Sequence, residues 1–262
     1  MKGKIFIITL VLSILGLVSF STFAREESPA IEIQGSWMLD RVYENASQED
    51  MFILEPSEAA AVYAESDNVY TINSDGTVDL TITGGGEIQF EKAELVYKDE
   101  YYEIVQNDTT VLDFRSDTES GELYRSWKSD IPDASYHDLK FVYTRIPVGK
   151  WKLDQVYSGK PGSEQILLDP EEAGSLYSES SNIYTIGADY TTSETNFETG
   201  EEVSKRIGVW KKADQNYVTE IDGFEMMFAY DTENDILHRY WTSTQTDDFY
   251  QDLDFVYIRA DQ

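Results

Sequence analysis

The chain repeats itself, and this repeat constrains its fold more than any other feature of the sequence. Trp37 matches Trp151, and the same shift of 114 residues aligns the two halves from end to end without a gap. The matched segments include Gly35-Ser36-Trp37 with Gly149-Lys150-Trp151, Asn68-Val69-Tyr70 with Asn182-Ile183-Tyr184, and Leu123-Tyr124-Arg125-Ser126-Trp127 with Leu237-His238-Arg239-Tyr240-Trp241. Matches that persist at one displacement indicate a duplicated domain. We therefore expect two domains, at residues 31–146 and 147–262, each large enough to bury its own core.

Each repeat has the pattern of short alternating strands separated by turn residues. In the first repeat this pattern predicts about eight strands, near residues 35–43, 68–73, 77–83, 87–97, 101–106, 110–115, 121–129 and 137–145. Many antiparallel strands in chain order favour a meander that closes on itself as an up-and-down barrel. A barrel of eight strands has room for a packed core or for one small ligand.

One helix is expected to interrupt the strands of each repeat. Pro56 and Pro170 are each surrounded by acidic residues, and proline with acids in the first turn is typical of a helix start. The helices are predicted at residues 56–65 and 170–179. The predicted fold class is therefore all-β: two tandem antiparallel barrels of about eight strands, each with one short helix after its first strand.

The ends of each repeat carry a further pattern. The first strand begins with Gly-x-Trp and the last strand ends with arginine, as Gly35, Trp37 and Arg145 and again as Gly149, Trp151 and Arg259. This pairing resembles the lipocalin and calycin barrels, and in particular small bacterial lipocalin-like domains. In those barrels an arginine of the last strand lies across the tryptophan of the first and closes one end. A guanidinium over an indole gains cation–π energy.

The resemblance implies that Trp37 with Arg145, and Trp151 with Arg259, close the two barrels. It also implies a habit of binding small hydrophobic or amphipathic molecules, but it identifies no ligand, because one fold serves many functions. The sequence departs from the family pattern in two places. The family's helix usually follows the barrel rather than the first strand. The segment Val209-Trp210-Lys211 also resembles the family, but the first repeat has Val96 at the place of Trp210.

The amino terminus has the three parts of a secretory signal peptide. Lys2 and Lys4 precede the apolar run 5–20, and small residues follow at Ser21-Thr22-Phe23-Ala24. We expect residues 1–24 to be removed and the protein to be secreted; an uncleaved membrane anchor is the alternative. No cysteine follows the apolar run, so a lipid anchor on cysteine is excluded.

Composition excludes several classes of function. The formal charge of −30 repels nucleic acid and anionic lipid. The absence of cysteine removes disulfides, thiol catalysis and thiolate metal sites. The two histidines, His137 and His238, align with Gln251 and Tyr124 in the other repeat, so neither histidine recurs. We therefore expect no metal, no cofactor and no catalytic residue. Weak calcium binding by the acidic surface and a cationic partner stay open.

The most informative shared polar residue is an arginine near the end of each repeat. Strand alternation places Leu123, Arg125 and Trp127 on one face, and their repeats likewise. If that face points inward, the arginine needs a carboxylate partner, supplied by the protein or by a ligand. An internal ion pair or an outward-facing stripe are the alternatives. The candidate ligand-binding residues are Arg125, Trp127 and Tyr70, with their repeats Arg239, Trp241 and Tyr184.

The sequence thus predicts a secreted, non-enzymatic binding protein with two lipocalin-like barrels for a small apolar or anionic-headed ligand. The alternative is an extracellular structural or protein-interaction module whose barrels are filled by side chains. An enzyme is less favoured, because no nucleophile–base pair recurs. A cavity inside a barrel separates the first two hypotheses.

Overall fold

The computed structural model describes residues 33–45, 51–84, 86–98, 100–117, 119–129, 136–160, 162–243 and 250–260. The strands of the first repeat are β1 (Gly35–Glu44), β2 (Phe52–Ile53), β3 (Val69–Ile72), β4 (Thr77–Gly84), β5 (Glu87–Lys98), β6 (Tyr101–Gln106), β7 (Thr109–Asp117), β8 (Glu122–Lys128) and β9 (Asp138–Ile146). Those of the second repeat are β10 (Gly149–Ser158), β11 (Ile166–Leu167), β12 (Ile183–Ile186), β13 (Thr191–Glu198), β14 (Glu201–Ala213), β15 (Asn216–Ile221), β16 (Phe224–Asp231), β17 (Ile236–Thr242) and β18 (Asp252–Arg259).

Each repeat forms its own closed barrel. In the first, neighbouring strands pair antiparallel in chain order from β3 to β9, and β1 pairs with both β3 and β9. Eight strands therefore close into a ring, and the short β2 adds to the end of β1. The second repeat has the same order, with β10 paired to β12 and β18. The prediction of two tandem, closed, eight-stranded antiparallel barrels is confirmed.

The predicted helices are wrong. No α-helix occurs in the residues that the structure describes, and the chain runs through consecutive turns between β2 and β3 and again between β11 and β12. The physical reason is tertiary anchoring by one tyrosine in each loop. The Tyr63 hydroxyl donates to the Leu54 carbonyl (2.8 Å) and accepts from the Val42 amide (2.9 Å). Tyr177 repeats both bonds, so each loop is attached to its barrel at this tyrosine and its helix propensity is overridden.

The gapless alignment of the repeats also needs a correction. A β-bulge near Phe197 inserts Val203 into β14, and another inserts Val111 into β7. Between the bulges the structural equivalence shifts to 115 residues, so that Trp210 takes the place of Leu95 rather than Val96. A one-residue insertion exchanges the inner and outer faces of a strand. Because each repeat has one insertion, the total length of the two repeats stays matched.

One end of each barrel is closed by an arginine over a tryptophan. The Cζ atom of Arg145 lies 5.2 Å from the ring centre of Trp37, and that of Arg259 lies 4.0 Å from Trp151. Gly149 has a φ of +144°, and a Cβ atom built on it would lie 2.0 Å from the Arg259 guanidinium. Glycine at the start of the first strand is therefore what lets the arginine cross the barrel end.

The two barrels pack against each other through the outer wall of the first. Met38 and Val69, on the outside of β1 and β3, are 5% and 0% exposed and share a core cluster with residues of the second barrel. Lys212 forms an ion pair with Asp40 across the same interface. The second repeat has Lys152 at the place of Met38. No helix among the described residues is long and apolar enough to span a membrane.

The two closures differ in strength. Arg259 donates to the Asp235 carboxylate at 2.9–3.2 Å, whereas the first repeat has Gly121 at that position. Arg145→Ala is expected to lower the free energy of unfolding by about 1–2 kcal/mol, through lost cation–π contact and uncovered apolar surface. Arg259→Ala also leaves Asp235 without its cationic partner, although the Tyr230 hydroxyl still donates to it, and we expect a loss of about 2–4 kcal/mol. Chemical denaturation of the two variants measures both values; equal losses would contradict the difference in geometry.

Candidate ligand-binding site

The wall of the first barrel opens between two neighbouring strands. The ladder between β7 and β8 ends at the pair Arg115–Tyr124, and the two strands form no further pairs toward the far end of the barrel. The second barrel opens in the same place, beyond the pair Ala229–His238. Because β7 and β8 separate beyond this pair, the next residues of β8 are accessible through the gap, beginning with Arg125.

A cavity of about 590 Å³ lies at this opening. Apolar side chains dominate its lining, and the polar ones converge near Arg125; the lining residues are Ala61, Val62, Ala64, Glu65, Asp113, Arg125, Ser126, Trp127, Tyr136, Leu139 and Phe141. Small-molecule sites typically have volumes of about 300–1,000 Å³ and this kind of lining. A smaller cavity of about 360 Å³ on the β7 side also touches Asp113, Arg125 and Ser126, so Arg125 is reached from two directions.

The cavity lies at the open end of the barrel. Trp127 pairs with Leu139, which in turn pairs with Glu44 at the last residue of β1. The closing residue Trp37 lies near the first residue of the same strand. The Trp–Arg closure and the cavity are therefore at opposite ends of the first barrel.

Arg125 is the only cation among the described residues that line this cavity, and several polar contacts around it are incomplete. Its Cζ atom lies 4.3 Å from the ring centre of Phe141, and Nη2 lies 3.7 Å from Glu65 Oε2, which is too long for a hydrogen bond. Arg125 Nε, Glu65 Oε2 and the Tyr143 hydroxyl are buried atoms without a hydrogen-bond partner. Burial raises the pKa of Tyr143 above its ordinary value, so this hydroxyl stays protonated at neutral pH.

The second barrel contains the same residues with their hydrogen bonds made. Arg239 Nη2 donates to Glu179 Oε2 at 2.9 Å. The Tyr184 and Tyr257 hydroxyls donate to the same oxygen at 3.1 and 3.4 Å. Glu179, Arg239 and Tyr257 are the repeats of Glu65, Arg125 and Tyr143. One constellation is thus saturated by its own side chains in the second barrel and unsaturated in the first.

The interior below the constellation also differs between the barrels. Glu194 is 3% exposed, accepts from Asn182 at 2.7 Å and pairs with Arg206. The Tyr184 hydroxyl, which donates to Glu179, lies 3.4 Å from Glu194. The first barrel has the apolar Leu80 at the position of Glu194. The second barrel therefore holds a connected internal polar network, whereas the first has an apolar floor beneath Arg125.

The structure brings some of the sequence-predicted site residues together and separates others. Arg125 and Trp127 line the cavity, and Trp127 is 43% exposed at its rim. Tyr70 lies deeper, in an edge-on contact with the Tyr143 ring at 5.9 Å, and burial raises its pKa to about 12. In the second barrel Arg239 and Tyr184 bind Glu179, and Trp241 is 45% exposed.

Sequence reasoning missed the carboxylate of the site. Glu65 faces Arg125 from the loop after β2, sixty residues earlier in the chain. The signal was available, because Glu65 returns as Glu179 at the shift of the repeat, as Arg125 returns as Arg239. Phe141, which the sequence analysis did not single out, stacks under the Arg125 guanidinium. Among the described residues, no three His, Asp or Glu side chains are grouped so as to hold a metal ion.

His238 lies outside this site, on the outer face of the second barrel. Its Nδ1 atom is 3.0 Å from both oxygens of Asp254, which is 2% exposed. The first repeat has Tyr124 and Lys140 at these positions, and there the Lys140 ammonium lies 4.8 Å from the Tyr124 ring centre. The pair therefore joins β17 and β18 and has no part in the cavity.

This pair predicts a pH dependence of stability. The hydrogen bond to Asp254 raises the pKa of His238. A raised pKa in the folded state stabilises the protein fully below the unfolded value of about 6.5, and the contribution is lost as the pH rises through the folded value. We expect the free energy of unfolding to decrease across this range and His238→Gln to remove that part of the decrease. Denaturation curves at a series of pH values measure it; an unchanged slope in the variant would refute the assignment.

Comparisons with known proteins give no family. A scan against models of protein families finds none that matches the chain. A search of curated proteins finds no matching protein. The likeness to lipocalins therefore rests on architecture, which is two closed eight-stranded antiparallel barrels in tandem.

Proposed function

We propose that this chain is an exported, non-enzymatic binding protein of the lipocalin type, and that its first barrel holds a small amphipathic molecule. The apolar part of the ligand occupies the cavity, and its anionic group binds Arg125. The second barrel has a structural role, because its own Glu179 already occupies Arg239. The alternative hypothesis, a structural module filled by its own side chains, thus applies to the second barrel alone.

One observation carries the proposal: three complementary polar atoms of one cluster are buried without hydrogen bonds beside an open cavity. A buried polar group left without a partner costs about 1–3 kcal/mol. The second barrel demonstrates that these residue types can satisfy each other when the Arg–Glu distance shortens to 2.9 Å. A ligand group that accepts a hydrogen bond from Arg125 recovers the contact that this guanidinium lacks and stabilises the complex.

The rest of the cavity favours an apolar body. Leu139, Phe141, Val62 and Trp127 present hydrocarbon and aromatic surface, and burying apolar surface gains about 25 cal/mol per Å². The protein has a formal charge of −30 and repels anions over most of its surface. Arg125 is therefore the group of this cavity that would select an acidic head.

Export belongs to the same proposal. The basic, apolar and small-residue segments of residues 1–24 support cleavage before Arg25, and they lie outside the residues that the structure describes. N-terminal sequencing of the protein recovered from the medium is expected to begin near Arg25. An intact Met1 on a membrane-bound product would contradict secretion.

Ligand binding is tested by titrating the full chain with decanoic acid and with decan-1-ol. Decanoic acid is expected to bind at one site per chain and more tightly than the alcohol. Arg125→Leu removes a charge-assisted contact of about 1.5–3 kcal/mol, so decanoic acid is expected to bind ten- to hundredfold more weakly. Isothermal titration calorimetry measures both effects.

Arg239→Leu is the matched control. It removes the same residue type from the second barrel, and we expect it to leave decanoic acid binding unchanged at a temperature where circular dichroism shows the variant folded. Equal binding of acid and alcohol, unaltered by Arg125→Leu, would refute the proposal. Loss of binding in Arg239→Leu alone would move the site to the second barrel.

A further inference from the structure

The ligand head group must suit the carboxylates around the cavity as well as the guanidinium of Arg125. Glu65 and Asp113 share the lining with Arg125, so among the described residues two carboxylates stand against one guanidinium. The Glu65 oxygen lies 3.7 Å from Arg125 Nη2, which is close to where a ligand carboxylate must sit. A head group that is only anionic meets Arg125 and is repelled by Glu65 at the same time.

The unfilled hydrogen bonds are of two opposite kinds. Arg125 Nε is a donor that has no acceptor, and Glu65 Oε2 is an acceptor that has no donor. A plain carboxylate accepts hydrogen bonds and donates none, so it satisfies Arg125 and leaves Glu65 bare. A complete match requires an acceptor and a donor side by side on the ligand.

The second barrel indicates how many donors this carboxylate receives when it is fully paired. Glu179 accepts from Arg239, Tyr184 and Tyr257. Glu65, its repeat, has only the 3.7 Å contact with Arg125 among the described residues. The site in the first barrel therefore has room for donors that the protein does not supply.

Resting on the proposed function, we propose that the ligand has a zwitterionic head, with a carboxylate on Arg125 and an adjacent ammonium on Glu65. Asp113, at the opening between β7 and β8, adds a second negative charge on the same side. The aromatic faces of Trp127 and Tyr136 border the cavity and suit both an apolar tail and a neighbouring cation. The chemical class is thus an apolar α-amino acid or a molecule that ends in one.

Four probes with the same carbon chain separate the possible head groups: 2-aminodecanoic acid, decanoic acid, decanamide and decylamine. Titrated into the full chain at pH 7 and low ionic strength, 2-aminodecanoic acid is expected to bind at least tenfold more tightly than each of the other three. The amide offers a donor and an acceptor without charge, so its weaker binding tests the requirement for opposite charges.

Glu65→Gln, which keeps the size of the side chain, is expected to bring 2-aminodecanoic acid and decanoic acid to within about threefold of each other. Decanoic acid itself is expected to bind more tightly in this variant, because a competing charge is removed. Glu179→Gln is the matched change in the second barrel and is expected to leave the preference intact.

The outcomes distinguish the two levels of the proposal. Decanoic acid or decanamide binding as tightly as 2-aminodecanoic acid, or a preference that survives Glu65→Gln, would overturn the zwitterionic head and leave the proposed function standing. A failure of all four probes to bind would overturn both.

Discussion

Both barrels depend on a first strand that is hydrogen-bonded along its two edges. β1 pairs with β3 and β9, and β10 pairs with β12 and β18, so each sheet closes on itself into a barrel. The arginine at the end of the last strand then covers the tryptophan of the first and fills one end. Because that end is closed, the opening between β7 and β8 at the other end becomes the route to the interior.

Duplication has produced one saturated barrel and one unsaturated barrel from the same set of residues. In the second, Glu179 gathers the hydrogen bonds of Arg239 and its tyrosine neighbours, and Glu194 extends the network inward. In the first, Leu80 ends the network and the Arg125–Glu65 contact stays long. Buried polar groups are usually paired, so an unpaired set beside a cavity calls for a partner from outside the chain. Under the proposed function that partner binds in the first barrel, because in the second barrel Glu179 already occupies Arg239.

The repeat and the alternation of polar and apolar side chains predicted the two barrels, because both patterns can be read directly from the order of residues in the chain. The prediction of two helices was wrong, because the hydrogen bond between Tyr63 and β1 joins residues far apart in the chain and leaves no local pattern in the sequence. The sequence alignment did not reveal the two bulges that make Trp210 equivalent to Leu95, because each repeat has one inserted residue and the repeats keep the same length. For the site, alternation and recurrence identified Arg125. Recurrence at the same shift also marks Glu65, but it does not show that Glu65 and Arg125 lie together in the fold. Whether the arginine is already hydrogen-bonded depends on an Arg–Glu distance of 2.9 Å in one barrel and 3.7 Å in the other, and such a difference cannot be predicted from the sequence.

A crystal structure of the protein purified without denaturation from its own host tests the central claim most directly. The account predicts electron density for a small molecule in the cavity of the first barrel, in contact with both Arg125 and Glu65. It also predicts that Arg239 stays bonded to Glu179, with no added density beside it. An empty first cavity in which Arg125 binds Glu65 as closely as Arg239 binds Glu179 would contradict the account.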